Sequence, residues 1–237
     1  MVTHRLAVPA PGVTVCFADD ALLVLDKPAG LLSVPGRGAD KQDCLASRVQ
    51  ALYPDALVVH RLDMTTSGLL LMARGAAVQR ALSQAFAAQQ VHKRYVAVVA
   101  GDLVPESGGS LADEPAWQVV DLPIAADWAQ RPRRKIDGVN GKPSVTRWRV
   151  LEPPRWLVLD SANPTPVTRI ELEPLTGRTH QLRLHMQALG QPILGDTLYA
   201  HAAVQALSAR LLLHASRLRL THPVSGQWLE FGCEPGF

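Results

Sequence analysis

The chain has few of the features that mark a membrane, secreted or metal-binding protein. No apolar run approaches the roughly 20 residues needed to cross a bilayer, and the first residues lack the apolar core of a secretory signal. Three cysteines, Cys16, Cys44 and Cys233, are widely spaced and do not show the paired spacing of a zinc site. These absences predict a soluble, cytoplasmic protein with reduced, structural thiols and no bound metal.

The net charge of +3 is too small to indicate nucleic-acid binding by itself, but the basic residues are unevenly distributed. Residues 131–135 read Arg-Pro-Arg-Arg-Lys and follow Trp128 closely, while Lys93 and Arg94 precede Tyr95. Segments that mix cations with aromatic rings attract phosphates and offer a stacking surface. A solvated surface loop is the alternative interpretation of the 131–135 segment.

Short apolar or alternating segments between turn residues predict an α+β fold with a mainly antiparallel sheet and flanking helices. Strands are expected at 13–17, 22–26, 57–59, 69–73, 95–99, 145–151, 155–159, 167–172, 218–220 and 227–231, and helices at 45–52, 76–88, 182–189 and 202–207. Residues 101–143, rich in Gly, Pro and charge, are expected to form a long excursion from the sheet. The length suits one mixed domain or two tightly joined halves.

The segment His60–Gly68, with the sequence HRLDMTTSG, is the most informative part of the chain. Arg61 and Asp63 stand two residues apart in a polar turn at a strand end, where loops commonly hold reacting groups. A guanidinium at this spacing can keep the carboxylate ionised. A surface ion pair is the alternative interpretation of the same two residues.

Further segments stand in the same order as the motifs of the RluA-type pseudouridine synthases, and the chain resembles that family from about Val13 onwards. The segments are KPAGLLSVPGR at 27–37, KRYVA at 93–97, GRTHQLRLH at 177–185, GQPILGD at 190–196 and LLLHA at 211–215. The resemblance implies the pseudouridine synthase catalytic fold, as one domain over residues 1–237 with a bipartite sheet and an active-site cleft across its middle. It also implies that the S4-like RNA-binding domain of many relatives is missing.

The activity that the resemblance implies is isomerisation of uridine in RNA to pseudouridine, which needs no metal, redox cofactor or ATP. Asp63 is the expected catalytic carboxylate, which attacks the base or the sugar or abstracts a sugar proton. Arg178 is expected to hold Asp63 as an anion. Tyr95 is expected to stack on the flipped uracil, and Arg61 to enter the space that the uridine leaves.

Further RNA contacts are expected from six side chains: His60, Lys93, Arg94, Arg133, Arg134 and Arg183. Residues 122–132 resemble the corresponding segment of family members that act on both transfer RNA and ribosomal RNA. This likeness implies a monomeric enzyme that modifies the uridine at position 32 of a tRNA anticodon stem-loop and that at position 746 in a 23S rRNA hairpin loop. The alternatives are a synthase for another uridine and a non-catalytic RNA-binding protein of the same fold.

Residue spacing disfavours three other functions: a zinc hydrolase, a glycosidase or nucleosidase, and a dinucleotide-binding protein. His180 and His185 are separated by about 140° on a helix, too far for a chelating pair, so they are expected to cap or pack. Glycoside hydrolysis usually needs two carboxylates, and Asp63 has no acidic partner nearby in sequence. Asp196 is expected to fix a turn instead. The Gly36-Arg37-Gly38 segment lacks the third glycine and the helix of a dinucleotide site.

Overall fold

The computed structural model describes residues 12–103, 116–157 and 164–237. The strands in these ranges are β1 (Thr14–Ala18), β2 (Leu22–Lys27), β3 (Ala56–Val58), β4 (Ser67–Arg74), β5 (His92–Ala100), β6 (Gln118–Asp121), β7 (Ile124–Ala126), β8 (Arg134–Ile136), β9 (Val145–Val150), β10 (Arg155–Leu157), β11 (Thr165–Pro174), β12 (Leu213–Thr221) and β13 (Trp228–Gly232). The α-helices are α1 (Leu45–Gln50), α2 (Ala76–Ala87), α3 (Gln181–Ala188) and α4 (Ala202–Ala206). The α+β class predicted from the sequence is confirmed. Within the described ranges, no helix combines the length and apolarity that crossing a membrane requires.

The first of two compact units comprises Met1–Lys93 and His214–Gly236. Its strands lie in the order β1-β2-β4-β12, with β3 paired to β4 and β13 to β12. The apolar runs of β2 and β4 are almost wholly buried because both faces of these strands are covered. Leu82 of α2 packs against one face, in a cluster with apolar residues of β2, β4 and β12.

One pairing in this unit is parallel. β12 meets β4 in parallel register, with His214 opposite Ser67 and Ala215 opposite Gly68. Gly68 has φ +105°, and a Cβ placed on it would lie 2.4 Å from the carbonyl oxygen of Ala215. Only glycine combines this backbone conformation with so close an approach of two strands.

The second unit comprises Arg94–Leu213 and Phe237. Its strands lie in the order β5-β11-β9-β6, with β10 on β11, and β7 and β8 form a separate hairpin. All the described pairings among these strands are antiparallel. The helix α3 begins after the turn predicted at 176–177 and buries Leu182 and Met186, as the apolar spacing predicted.

The structure corrects two details of the sequence interpretation. The excursion expected at 101–143 is not a loop throughout, because 118–121 pairs with β9 as an edge strand and 124–136 contains the β7–β8 hairpin. Residues 104–115, and part of the strand expected at 155–159, lie outside the described residues. Leu52 and Leu189 are not helical core residues but follow the last turns of α1 and α3, with exposed fractions of 41% and 40%.

We expect Gly68→Ala to lower the free energy of unfolding by about 3 kcal/mol or more, because left-handed strain adds to a clash with a neighbouring strand. Gly226→Ala is the matched control. It also has a positive φ, +72°, but no atom lies within 4 Å of its added Cβ, so a loss of only about 1–2 kcal/mol is expected. Urea unfolding of both purified variants measures the difference. Equal losses would show that the β4–β12 approach does not restrict this position.

Candidate active site

Asp63 lies in the loop between β3 and β4, and the backbone on each side of it is anchored. Before it, the Leu62 amide donates to Ser33 Oγ (3.1 Å), and the Ser33 hydroxyl donates to the Leu62 carbonyl (2.7 Å). After it, the Met64 carbonyl accepts a hydrogen bond from the Gly30 amide (2.8 Å). A half-buried carboxylate is therefore held by backbone that is fixed on both sides, as a reacting group requires.

Lys27, at the end of β2, is completely buried beneath this loop. Its ammonium donates to the carbonyls of Pro28 (2.7 Å), Leu31 (2.8 Å) and Met64 (3.1 Å). Burial lowers the pKa of Lys27 to about 8, and the negative charge of Asp63 opposes this shift. One ammonium thus joins the 28–31 turn to the residue after Asp63 and supplies a positive charge that acts on Asp63.

Lys27 was not among the site residues expected from the sequence. Its place between an apolar run and Pro28 indicated only the end of a strand. The available signal was the charge itself, because a lysine at the end of an almost fully buried strand needs hydrogen-bond acceptors within the protein. Those acceptors include a carbonyl 37 residues away, which no local pattern reveals.

His60 supports the scaffold of the first unit. Its Nε2 accepts a hydrogen bond from the Leu71 amide (2.9 Å), and its ring stacks on Phe86 at a centroid distance of 4.6 Å. Burial, followed by the charge of Lys93, lowers the pKa of His60 to about 3, so the ring is neutral. The RNA contact expected of His60 from the sequence stays a prediction.

Arg61, in contrast, is exposed. Within the described parts of the chain, no hydrogen bond or ion pair engages its guanidinium. It stands two residues before Asp63, on the same anchored loop. The structure thus leaves this cation available for an external partner.

Lys93 and Arg94, at the start of β5, both contact other side chains. The Lys93 ammonium lies 5.9 Å from the ring centroid of Phe86, and burial lowers the pKa of Lys93. Arg94 lies 3.5 Å from the Glu171 carboxylate, and its guanidinium lies 5.4 Å from the ring centroid of Trp117. Both cations are half-buried, so only part of each is open to solvent.

In the second unit, Tyr95 is buried on β5 opposite Leu172 of β11. Arg178 is exposed in the turn before α3, where its Nε donates to the Pro143 carbonyl (3.3 Å). Its amide donates to the side-chain oxygen of Gln181 (3.0 Å), which fixes the backbone of this turn. Each residue therefore stands on anchored backbone.

The phosphate contact expected of Arg183 stays a prediction, and in the structure its side chain is buried. It is 3% exposed, and its guanidinium binds the Asp196 carboxylate through two hydrogen bonds of 2.8 and 2.6 Å. A buried arginine paired in this way is costly to withdraw from its partner. Asp196 also accepts hydrogen bonds from the Leu198 and Tyr199 amides, so the turn predicted at Asp196 is confirmed.

Both histidines near α3 have structural partners. His185 is buried, with Nδ1 2.9 Å from the Thr146 hydroxyl and Nε2 3.0 Å from the Leu122 carbonyl. His180 Nδ1 lies 2.8 Å from the Tyr199 hydroxyl. Their predicted packing role is confirmed.

The β7–β8 hairpin presents an exposed pair of side chains. Trp128 is 72% exposed, and the Arg131 guanidinium lies 3.7 Å from its ring centroid. Arg133 donates to the Gln130 side chain at the same tip (3.0 Å). Where the loop of the hairpin ends, at the start of β8, the Arg134 amide donates to the Tyr199 hydroxyl (2.8 Å), which anchors the hairpin within its unit. A guanidinium stacked on an exposed indole forms a flat cationic surface.

Asp63 does not belong to a cluster of possible metal ligands formed by the described residues. Among the described residues, one trio of possible ligands, Asp26, His214 and Cys233, has donor atoms within 4.8 Å of one another. Asp63 is not part of that trio.

Comparison with known proteins assigns the chain to a family. A family model of RNA pseudouridylate synthases matches residues 21–188. Among solved structures, Human RNA Pseudouridylate Synthase Domain Containing 1 has a TM-score of 0.74 at 28% identity, covering 98% of this chain and 87% of that one. The chain therefore belongs to the RNA pseudouridylate synthase family, and it is an RNA-modifying enzyme, as the resemblance implied.

Relatives with a higher sequence identity to this chain share a more specific name than that of the family. The Dual-specificity RNA pseudouridine synthase RluA of Escherichia coli (strain K12) is 42% identical over 227 residues, which cover 96% of this chain and 95% of that protein. The protein of the same name from Vibrio parahaemolyticus is 44% identical over 219 residues, covering 92% of this chain and 81% of that protein. The likeness extends over nearly the whole chain.

We expect Lys27→Met to lower the free energy of unfolding by about 3–5 kcal/mol, because it removes a buried charged donor from three carbonyls. Lys41→Met is the control, since Lys41 is exposed in the same unit, and it should change stability by less than about 0.5 kcal/mol. Chemical denaturation at pH 7 measures both. A Lys27→Met protein as stable as the control would show that the ammonium does not hold the Asp63 loop.

Proposed function

We propose that this protein converts two uridines to pseudouridine, one in the anticodon stem-loop of transfer RNA and one in a hairpin loop of 23S ribosomal RNA. Support comes from relatives named dual-specificity RNA pseudouridine synthase, to which the likeness covers almost the full length of this chain. We further propose that the enzyme acts in the cytoplasm as a monomer, with one catalytic domain over residues 1–237.

The observation that carries the proposal is the half-buried Asp63 on backbone anchored at Leu62 and Met64, with the buried Lys27 beneath it. In the reaction, the glycosidic C–N bond breaks, the uracil turns, and a C–C bond forms to the same sugar carbon. Atoms and electrons balance within the nucleotide, so a single carboxylate suffices to begin the reaction. Asp63 either attacks the base or sugar, or removes a sugar proton.

Arg61 takes the place of the uridine in the RNA. Removing a nucleotide from its stack costs roughly a few kcal/mol, and less in a loop than in a duplex. A planar guanidinium both stacks and forms hydrogen bonds, so it can fill the vacated space. The exposure of Arg61, two residues before Asp63, supports this role.

Tyr95 and Arg178 complete the proposed catalytic set. Tyr95 stacks on the flipped uracil, an interaction worth about 1–3 kcal/mol. Arg178 holds Asp63 in its anionic form, as the family pattern implies. The anchored turn around Arg178 supports a positioning role, because a guanidinium on fixed backbone loses little entropy when it pairs.

The β7–β8 hairpin supplies RNA affinity outside the reacting residues. The Trp128–Arg131 surface offers a base-stacking plane, and Arg133 and Arg134 contribute positive charge. Such contacts reach a short stretch of RNA. A small stem-loop is therefore a sufficient substrate, recognised through its shape and its splayed loop bases.

The wild-type enzyme is expected to isomerise uridine in an isolated tRNA anticodon stem-loop and in an isolated 23S rRNA hairpin. Asp63→Asn should lower turnover by about 10²–10⁴-fold or more, because it removes the charge of the reacting carboxylate. Detection of pseudouridine-specific chemical adducts by mass spectrometry measures turnover. Filter binding measures RNA affinity, which should stay close to that of the wild type.

Asp20→Asn is the matched control, since Asp20 is an exposed aspartate of the same unit, and it should retain full activity. Turnover of Asp63→Asn within about tenfold of the wild type, with deamidation to aspartate excluded, would overturn the catalytic role. If the wild type modified only full-length ribosomal RNA, the dual-substrate proposal would fall, while the assignment to the synthase family would remain.

Arg178→Met is expected to reduce turnover roughly 10²-fold, because it removes the charge that keeps Asp63 ionised. Arg178→Lys, which retains the charge, should recover part of the activity. Arg80→Met, at an exposed helical position, is the control. Single-turnover rates at saturating RNA separate this effect from weaker binding. Equal rates for the Met and Lys variants would argue against an electrostatic role for Arg178.

Trp128→Ala is expected to weaken stem-loop binding by about 1–3 kcal/mol without lowering the single-turnover rate at saturating RNA. The indole is exposed, so its removal leaves the core intact. Trp156→Ala is the matched control at 63% exposure and should bind as the wild type does. Titration of fluorescent RNA measures the affinity of both variants. Equal affinities would show that Trp128 of the hairpin does not contribute to RNA binding.

A further inference from the structure

Three donor groups from distant parts of the sequence meet in the first unit. Asp26 belongs to β2, His214 to β12, and Cys233 directly follows β13. Their donor atoms all lie within 4.8 Å of one another. The carboxylate and the thiol are half-buried, and the imidazole is buried.

The strand pairings explain why the three side chains meet. Asp26 is opposite Leu69 of β4, and His214 is opposite Ser67 of the same strand. The Cys233 amide extends the β12–β13 ladder by donating to the Ser216 carbonyl (2.8 Å). Because side chains alternate along a strand, all three project from one face, the face that carries the apolar cluster packed under α2.

The donor set is chemically selective. A thiolate, an imidazole and a carboxylate together suit Zn²⁺, which prefers tetrahedral sites with bonds of about 2.0–2.3 Å. Those bonds place neighbouring ligand atoms about 3.5 Å apart. The donor atoms of Asp26, His214 and Cys233, all within 4.8 Å of one another, lie close to that spacing.

His214 already has the hydrogen bond that zinc-bound histidines usually form. Its Nδ1 lies 2.9 Å from Ser67 Oγ, and its Nε2 lies 3.1 Å from the Cys233 carbonyl. A serine hydroxyl donates or accepts, so Ser67 pairs with either tautomer of the ring. Because the Cys233 carbonyl only accepts, Nε2 carries the proton in this structure, and the Ser67 hydroxyl donates to Nδ1. On metal binding, Nε2 exchanges its hydrogen bond to the carbonyl for a bond to the metal, and Ser67 then accepts a hydrogen bond from Nδ1–H.

A second thiol is present on the same face. Cys16 lies at the β-bulge of β1, where the register shifts between Val15 and Phe17, and it packs against the same apolar cluster as Cys233. Burial and then the charge of Asp26 raise the pKa of Cys16, and burial with Asp26 and Cys16 raises the pKa of Cys233 to about 12. A divalent cation reverses this effect, because it stabilises thiolates beside a carboxylate.

We propose that Asp26, His214 and Cys233 bind one zinc ion, with Cys16 as the fourth ligand. The site is structural, since it connects Cys233, which follows the last strand, to β2 and β12. The ligands come from four separate strand regions, so the sequence shows none of the paired spacing that usually reveals a zinc site.

The test uses the full-length protein, stripped of metal, and titrates it with Zn²⁺ and with Co²⁺. One equivalent should bind, Co²⁺ should give a thiolate charge-transfer band with tetrahedral d–d absorption, and Zn²⁺ should raise the melting temperature. Cys233→Ser and Asp26→Asn should each weaken binding at least tenfold. Cys44→Ser is the matched control, because Cys44 caps α1 through Ser47 and serine serves equally as a cap. It should bind as the wild type does.

A second measurement does not depend on the folding of variants. In the wild-type protein, Zn²⁺ should slow alkylation of Cys16 and Cys233, followed by mass spectrometry of peptides, and should leave the rate at Cys44 unchanged. Absence of stoichiometric binding, a Co²⁺ spectrum without a thiolate band, or equal protection of all three cysteines would overturn the proposal. Unchanged affinity in Cys16→Ser would overturn the assignment of the fourth ligand.

Discussion

A buried ammonium group determines the conformation of the loop that carries Asp63. Removing a charge from water costs several kcal/mol unless hydrogen bonds replace the lost hydration. Lys27 recovers this cost with three carbonyl acceptors, two in the adjacent turn and one on Met64. Because these acceptors must converge on one nitrogen, the turn and the Asp63 loop have little freedom to move apart. The positive charge that fixes the loop also acts on the carboxylate.

The parallel contact between β4 and β12 is the second constraint on this unit. It brings a strand from the C-terminal part of the chain against the strand that follows Asp63, and it requires glycine at position 68. The shared face is apolar under α2 and becomes polar at Asp26, His214 and Cys233. The polar side chains at the end of this sheet face need partners, which are hydrogen-bonding groups or the proposed metal ion.

Much of the local structure could be predicted from the sequence. Alternation and apolar runs located most strands, and apolar spacing located α2 and α3, because these patterns follow from the geometry of the backbone. The edge strand β6 was missed, since a short strand within a Gly- and Pro-rich segment has few distinguishing residues. Its partner β9 lies more than twenty residues further along the chain.

The roles of charged and polar side chains were harder to predict. Arg183 and Arg178 occur in one motif, yet the first is buried against Asp196 and the second is exposed. His60 and Arg61 are neighbours, yet the first is a neutral scaffold group and the second faces solvent. A guanidinium or an imidazole suits either role, so residue type does not distinguish them.

The sequence by itself determined the family, the α+β class and the order of most elements, because these depend on local periodicity and on contiguous motifs. Only the tertiary structure decided which cations are neutralised internally, which remain exposed, and which donors meet at one point. Lys27 and Met64 are 37 residues apart, and Asp26 and Cys233 come from opposite ends of the chain. The energy of such groups depends on burial and on the partners that strand pairing brings together, and both exist only after the chain has folded.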